Sequence, residues 1–183
     1  MTGLWIVVYG GACWVTSLHT YRVQLHCRVD LQIPFVPEAT FVYLSLFLML
    51  WLAPFVLQTP ERLRSFAVAS AVLFVCSGVG FLLLPSEEVR ETPVVDGPVG
   101  QVFRFADWVN LSYNNLPCLH VGMAFLCASF YSKYLSFHAS ALLWLWALAI
   151  SLSTLLTHQH YIVDVLAGAA LAVLVASACR TGV

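Results

Sequence analysis

Apolar residues run along this chain in six blocks, at about 3–18, 40–57, 66–84, 119–136, 139–157 and 161–179. Each approaches the roughly 20 residues that an α-helix needs to cross a bilayer. The pattern predicts an all-α fold, a six-transmembrane-helix bundle built as a single integral membrane domain over residues 1–183, with both termini on one side. The first block is the shortest. It lacks a basic start and a small-residue cleavage site, so it reads as a span and not as a signal peptide. Residues 58–65 and the stretch YSKYLSFHAS make short links on one face. Residues 19–39 and 85–118 and the turn at 157–161 lie on the other. Arg62, Arg64, Lys133 and Arg180 fall on the short-loop face, and Arg22, Arg28, Arg90 and Arg104 on the long-loop face. The short loops are denser in Lys and Arg, which assigns that face to the cytoplasm and points the long loops outward. Inside 85–118, Val102, Phe103, Ala106 and Val109 keep a helical spacing that Arg104 and Asp107 interrupt. This predicts an amphipathic helix at the membrane interface, with Trp108 at headgroup depth. In the last block Gly168, Ala172 and Ala176 form a small-residue stripe that lets a neighbouring helix approach closely.

Composition narrows the class further. The chain is 61% hydrophobic and 9% charged, with a mean hydropathy of +0.87; soluble domains carry about 25% charged residues. A formal net charge of −1 offers no basic surface for nucleic acid. The six cysteines are scattered through apolar runs without a C-x-x-C pair. They read as small buried side chains, and neither a disulfide framework nor a zinc site is expected.

Against this background LLTHQHYIVDVLAG, residues 155–168, stands out. His160 and Asp164 are spaced i, i+4 at the start of the last span, which on a helix puts them on one face. His120 opens the fourth span in NNLPCLHVG, and two crossings later the chain returns to the same depth. The three side chains are therefore expected to meet at the outer boundary of the membrane, where ionisable groups are costly and point to function. A histidine oriented by a carboxylate has one ring nitrogen fixed as donor and the other free as nucleophile. A second histidine can protonate a departing oxygen. That set fits phosphoryl transfer through a phosphohistidine. Two other readings stand beside it: a satisfied polar contact between helices, and a metal site with His158, His160, Asp164 and His120 as ligands.

These segments resemble the second and third signature motifs of the type 2 phosphatidic acid phosphatase superfamily. The second motif, Pro-Ser-Gly-His or Pro-Ser-Leu-His, corresponds to Pro117-Cys118-Leu119-His120. The third, Ser-Arg, five residues, His, three residues, Asp, corresponds to Ser153-Thr154, then His160 and Asp164. The resemblance covers roughly residues 30–175. It implies a six-helix, metal-independent enzyme without a cofactor, acting on a lipid phosphate among membrane lipids. His160 would be the nucleophile, Asp164 would orient it, and His120 would be the general acid. Membership of a bacterial branch would place the chain in the inner membrane with the site facing outward.

The departures from the family pattern are specific. The Lys and Arg-Pro of the first motif are not recognisable, Thr154 replaces the arginine of the third, and Cys118 replaces serine. A transferring phosphoryl group needs donors aimed at its three oxygens. Arg90, Asn114, Cys118 and the backbone N–H groups at Leu119 are the candidates for that grip, with Arg104 a weaker one. Loss of the motif arginine is shared with the branch of inositol phosphorylceramide synthases and related lipid phosphotransferases. The expected function is a lipid phosphatase. A transferase that moves the phospho-headgroup to a lipid hydroxyl, or a degenerate lipid-binding protein, would share the motifs.

Overall fold

The computed structural model describes residues 2–18, 20–86, 89–90, 93–111 and 113–180. It opens with α1 (Thr2–Trp5), a π-helical turn (Ile6–Gly10) and α2 (Gly11–Ser17), which continue one another with right-handed helical backbone at the junctions. Short 3-10 turns at Asp30–Gln32 and Pro37–Ala39 lead into α3 (Thr40–Trp51) and α4 (Ala53–Leu57). There follow α5 (Pro60–Leu83), α6 (Gly97–Val109), α7 (Leu119–Tyr131), α8 (Phe137–Leu156) and α9 (Ile162–Arg180). Among the described residues the only β pairing is an isolated bridge between Val23 and Ser86.

The all-helical expectation holds. Four helical stretches are long and apolar enough to cross a membrane: Pro37–Leu57, Pro60–Leu83, Phe137–Leu156 and Ile162–Cys179. Gly3–Ser17 and Leu119–Tyr131 are apolar but shorter. Two boundaries differ from the hydrophobic blocks. The third helix starts at Pro60 and not at 66, because Thr59 caps it through Oγ1, which accepts from the Arg62 N–H at 3.4 Å, and Pro60 occupies the first turn. The polar residues ERLRS are thus the first turns of a helix, not a link. The fourth helix ends at Tyr131 and not at 136. Ser132 turns its hydroxyl onto the Ala128 carbonyl, 2.6 Å, and Ser136 already caps α8 by accepting from the Ala139 N–H. At ~1.5 Å per residue α7 is only about 20 Å long, yet it is the most enclosed helix. It runs between α3, α5, α8 and α9, and nearly every side chain along it is buried.

Pro54 explains the break between α3 and α4, since it cannot donate to the preceding turn. Beside this break the Tyr131 hydroxyl donates to the Met49 carbonyl, 3.2 Å, which also accepts from the Leu52 N–H at 3.3 Å, and this ties α7 to the end of α3. The amphipathic segment forms α6 with Phe103 and Ala106 buried and Trp108 exposed.

α7 and α9 meet through their glycines. A Cβ on Gly168 would stand 2.3 Å from the Cys118 carbonyl oxygen, and one on Gly122 3.5 Å from the Gly168 carbonyl oxygen. Ala172 and Ala176 continue the contact, both buried, as the small-residue stripe predicts. Gly80 plays a similar part on α5, where a Cβ would lie 2.7 Å from the Pro117 ring. These close approaches set the position of the Pro117–His120 corner. Gly168→Ala is therefore expected to cost roughly 1–3 kcal/mol by overpacking. Gly11→Ala, where nothing lies within 4 Å of the new Cβ, should be neutral or slightly stabilising, and melting of the two variants in detergent against the parent checks both.

Candidate active site

The turn between α8 and α9 is built before any chemistry is needed. The Thr154 carbonyl accepts from both the Gln159 and His160 N–H groups, at 3.0 and 3.2 Å. Thr157 turns its hydroxyl onto the Ser153 carbonyl, and His158 takes a left-handed backbone with φ 55. The residue that replaces the family arginine is thus part of the turn, its hydroxyl donating to the Ser151 carbonyl. Helix α9 begins at Ile162, so His160 precedes it. His160 and Asp164 do not share a helical face as the spacing suggests. Instead Asp164, in the first turn, reaches back so that its Oδ2 accepts from the Tyr161 N–H at 2.8 Å, the reciprocal half of a capping box. The pair is still made, with His160 Nδ1 3.6 Å from Asp164 Oδ2 and both side chains buried. That is longer than a hydrogen bond.

His120 comes from the other side. Cys118 precedes α7, and its N–H donates to the Asp164 carbonyl at 3.0 Å, tying the start of α7 to the start of α9. The rings of His120 and His160 lie 6.4 Å apart, centre to centre. His120 Nδ1 is 3.2 Å from the Tyr43 hydroxyl, and the two rings stack at 4.2 Å. His160 Nε2 is buried with no hydrogen-bond partner, and so is Asp164 Oδ1. The structure thus brings together the three side chains that the sequence singled out.

The remaining candidates sort by what they touch. Arg90 donates from Nη2 to the His160 carbonyl at 3.0 Å and lies over the Tyr161 ring, 4.5 Å from its centre. It braces the backbone of the turn from behind. Asn114 donates to the Tyr9 carbonyl at 2.7 Å, leaving its Oδ1 buried without a partner, as is the Nδ2 of Asn115. Cys118 and Leu119 are buried at the head of α7. Arg104 serves its own loop through the Val95 carbonyl, 2.9 Å. His158 meets the Ile33 carbonyl through Nε2 at 3.0 Å and packs on Phe35.

Several residues that the sequence left unmarked hold the site. Asp30 is buried, its two oxygens accepting from the N–H groups of Cys27, 2.7 Å, and Ile162, 2.8 Å. Burial works to raise its pKa, but these donors and the Arg90 charge outweigh it and keep the carboxyl below its ordinary value. Tyr9, Asn110, Gln159 and Asp107 form a chain of side-chain hydrogen bonds under α6. Asp30 lies in a loop, and a loop residue offers no periodicity by which to place its partners.

A cavity of about 600 Å³ reaches His120 from the side of α1, α3 and α5. Its walls are apolar, including Trp5, Phe47, Trp51, Phe66 and Phe74.

Burial opposes a charged ring at His160, but Cys118 and Asp164 beside it outweigh that and push its pKa up to about 10 from 6.5. A raised pKa stabilises the fold fully below the unfolded value of about 6.5, and that stabilisation is lost as pH rises through about 10. The melting temperature in detergent is therefore expected to fall across this window, and less steeply in His160→Gln, as a pH series of thermal melts would record.

Comparisons with known proteins bear on the fold and the family. Curated protein sequences yield no significant match. The crystal structure of LpxE from Aquifex aeolicus superposes with a TM-score of 0.58 at 17% identity, covering 98% of this chain and 94% of that one. This is a likeness of fold. The sequence profile of the PAP2 superfamily, the type 2 phosphatidic acid phosphatases, matches residues 34–178, which is most of the chain and includes all three site residues, and the protein belongs to that superfamily.

Proposed function

We propose that this chain is a multi-pass membrane lipid phosphatase that cleaves a lipid phosphate or diphosphate ester through a phosphohistidine on His160. The observation that carries the reading is the 6.4 Å separation of the His120 and His160 rings, with Asp164 beside the second. Superfamily membership supports it, and the fold shared with LpxE agrees with it.

The reaction divides into two displacements. His160 Nε2, once it has lost any proton, attacks phosphorus. The N–P bond forms as the P–O bond to the lipid breaks, and His120 gives a proton to the leaving oxygen. The phosphorylated ring is cationic on Nδ1–H, and the surroundings that raise the His160 pKa favour that charge. Water then attacks phosphorus and passes a proton to His120 as the N–P bond breaks. A lipid hydroxyl in place of water would make the same site a phosphotransferase. The grip on the phosphoryl oxygens falls to the N–H groups in the first turn of α7 at Leu119, the Asn114–Asn115 amides, the Cys118 thiol and the positive charge of Arg90.

We read α1–α2, α3–α4, α5, α7, α8 and α9 as six crossings and α6 as lying along the outer surface of a bacterial inner membrane, with the site facing outward. The cavity beside His120 suits a lipid. Its wall on α5, from Leu63 to Phe74, offers roughly 16 Å of largely apolar helix to a hydrocarbon chain.

Release of phosphate from lipid phosphates by the purified protein tests the reading. His160→Ala is expected to abolish release, and His120→Ala to lower it by roughly 100- to 10,000-fold, with full wild-type rate in EDTA. Loss of activity in chelator alone would favour the metal reading, and an active His160→Ala enzyme would end the phosphohistidine one. Ala67 lines the same cavity, and Ala67→Phe, which narrows it, should raise KM for long-chain lipid phosphates more than for short-chain ones.

A further inference from the structure

We infer that Tyr43 is the positioning residue for His120, and that the different charge of the two histidines' partners divides their labour. The inference rests on the reading of His120 as the group that protonates the leaving oxygen.

Tyr43 lies on α3, fully buried. It touches the His120 ring in two ways, through the 4.2 Å stack of the two rings and through its hydroxyl, 3.2 Å from Nδ1. With Nδ1 so engaged, Nε2 is the nitrogen left to meet a phosphoryl group on the His160 side. A ring oriented through one nitrogen presents the other at a fixed angle.

The chemistry asks different things of the two rings. His160 must carry positive charge once it is phosphorylated, and its partner Asp164 is an anion that favours this charge. His120 must carry a proton and then release it. A carboxylate beside it would hold the imidazolium and oppose release. A phenol is neutral, and its oxygen accepts the Nδ1–H without adding charge. In the first displacement the imidazolium of His120 keeps Nδ1–H on the Tyr43 oxygen and passes its Nε2 proton to the leaving alkoxide, ending as a neutral ring. In the second, Nε2 takes a proton from the attacking water and the imidazolium is restored. Nδ1–H stays on Tyr43 throughout, so the ring does not turn over between the two half-reactions.

The leaving group separates this role from mere packing. An alkyl ester expels a poor leaving group that needs the proton, whereas an aryl ester such as a nitrophenyl phosphate expels a good one that needs it far less. Tyr43→Phe keeps the ring stack and removes the hydroxyl. It is expected to lower kcat/KM for the alkyl lipid phosphate about tenfold or more beyond its effect on the aryl ester, a fraction of what acid catalysis contributes. Equal losses on both esters, or no loss on either, would overturn the inference. Fluorotyrosine at position 43, nearly the same size with a more acidic hydroxyl, covers the case in which the phenylalanine variant does not fold. The alkyl-to-aryl ratio should move with it, and an unchanged ratio would count against the role. His160→Ala run in parallel keeps the two levels apart. If that variant still cleaves both esters, the phosphohistidine reading fails; if it is dead and Tyr43→Phe loses both esters alike, only the role of Tyr43 fails.

Discussion

The hydrogen bond from the Cys118 N–H to the Asp164 carbonyl, 3.0 Å long, joins the starts of α7 and α9. Everything in the candidate site depends on that junction. It exists because Gly168 lets the Cys118 carbonyl come closer than any Cβ would permit. Once the two helix starts are held together, His120 on one and the Asp164–His160 pair on the other cannot be far apart. The three candidate side chains are thus placed by backbone packing between two apolar helices, where hydrogen bonds have no water to compete with them.

Around the junction a layer of loop residues braces the His160 turn. Asp30 accepts the Ile162 N–H, Arg90 donates to the His160 carbonyl, and Tyr161 offers its hydroxyl to the Val89 N–H at 2.8 Å. The first two act on backbone groups on either side of Tyr161, and the third ties the Tyr161 side chain to the loop backbone. The long loops of 19–39 and 85–118 are therefore part of the support of the site, which explains why a chain made mostly of spans spends so many residues on one face. Arg90 illustrates the point, since it donates to the His160 carbonyl and lies over the Tyr161 ring.

Much of this was legible in the sequence, for a physical reason. Bilayer-length apolar blocks announce helices, and a polar group within them stands out because it is costly. His120, His160 and Asp164 stand out in this way, and counting apolar blocks brings them to one depth. The i, i+4 argument reached the right pair by the wrong geometry. Spacing does not reveal that the helix starts at Ile162, and Asp164 reaches His160 while reaching back to cap its own helix. Thr59 and Ser136 moved two boundaries because a cap depends on one side chain and not on the average hydropathy of a block. Tyr43 was hidden because an aromatic residue in an apolar run looks like lipid contact. Asp30 was hidden because its partners lie far along the chain.

The central claim is that His160 carries the phosphoryl group between two displacements. The direct measurement is to quench the enzyme during turnover of a lipid phosphate under alkaline conditions, which preserve phosphohistidine, and to map the modified peptide by mass spectrometry. The account predicts an acid-labile phosphoryl group on His160, absent when the lipid is omitted. A phosphoryl group on any other residue, or turnover with inversion at phosphorus and no phosphorylated protein, would contradict it.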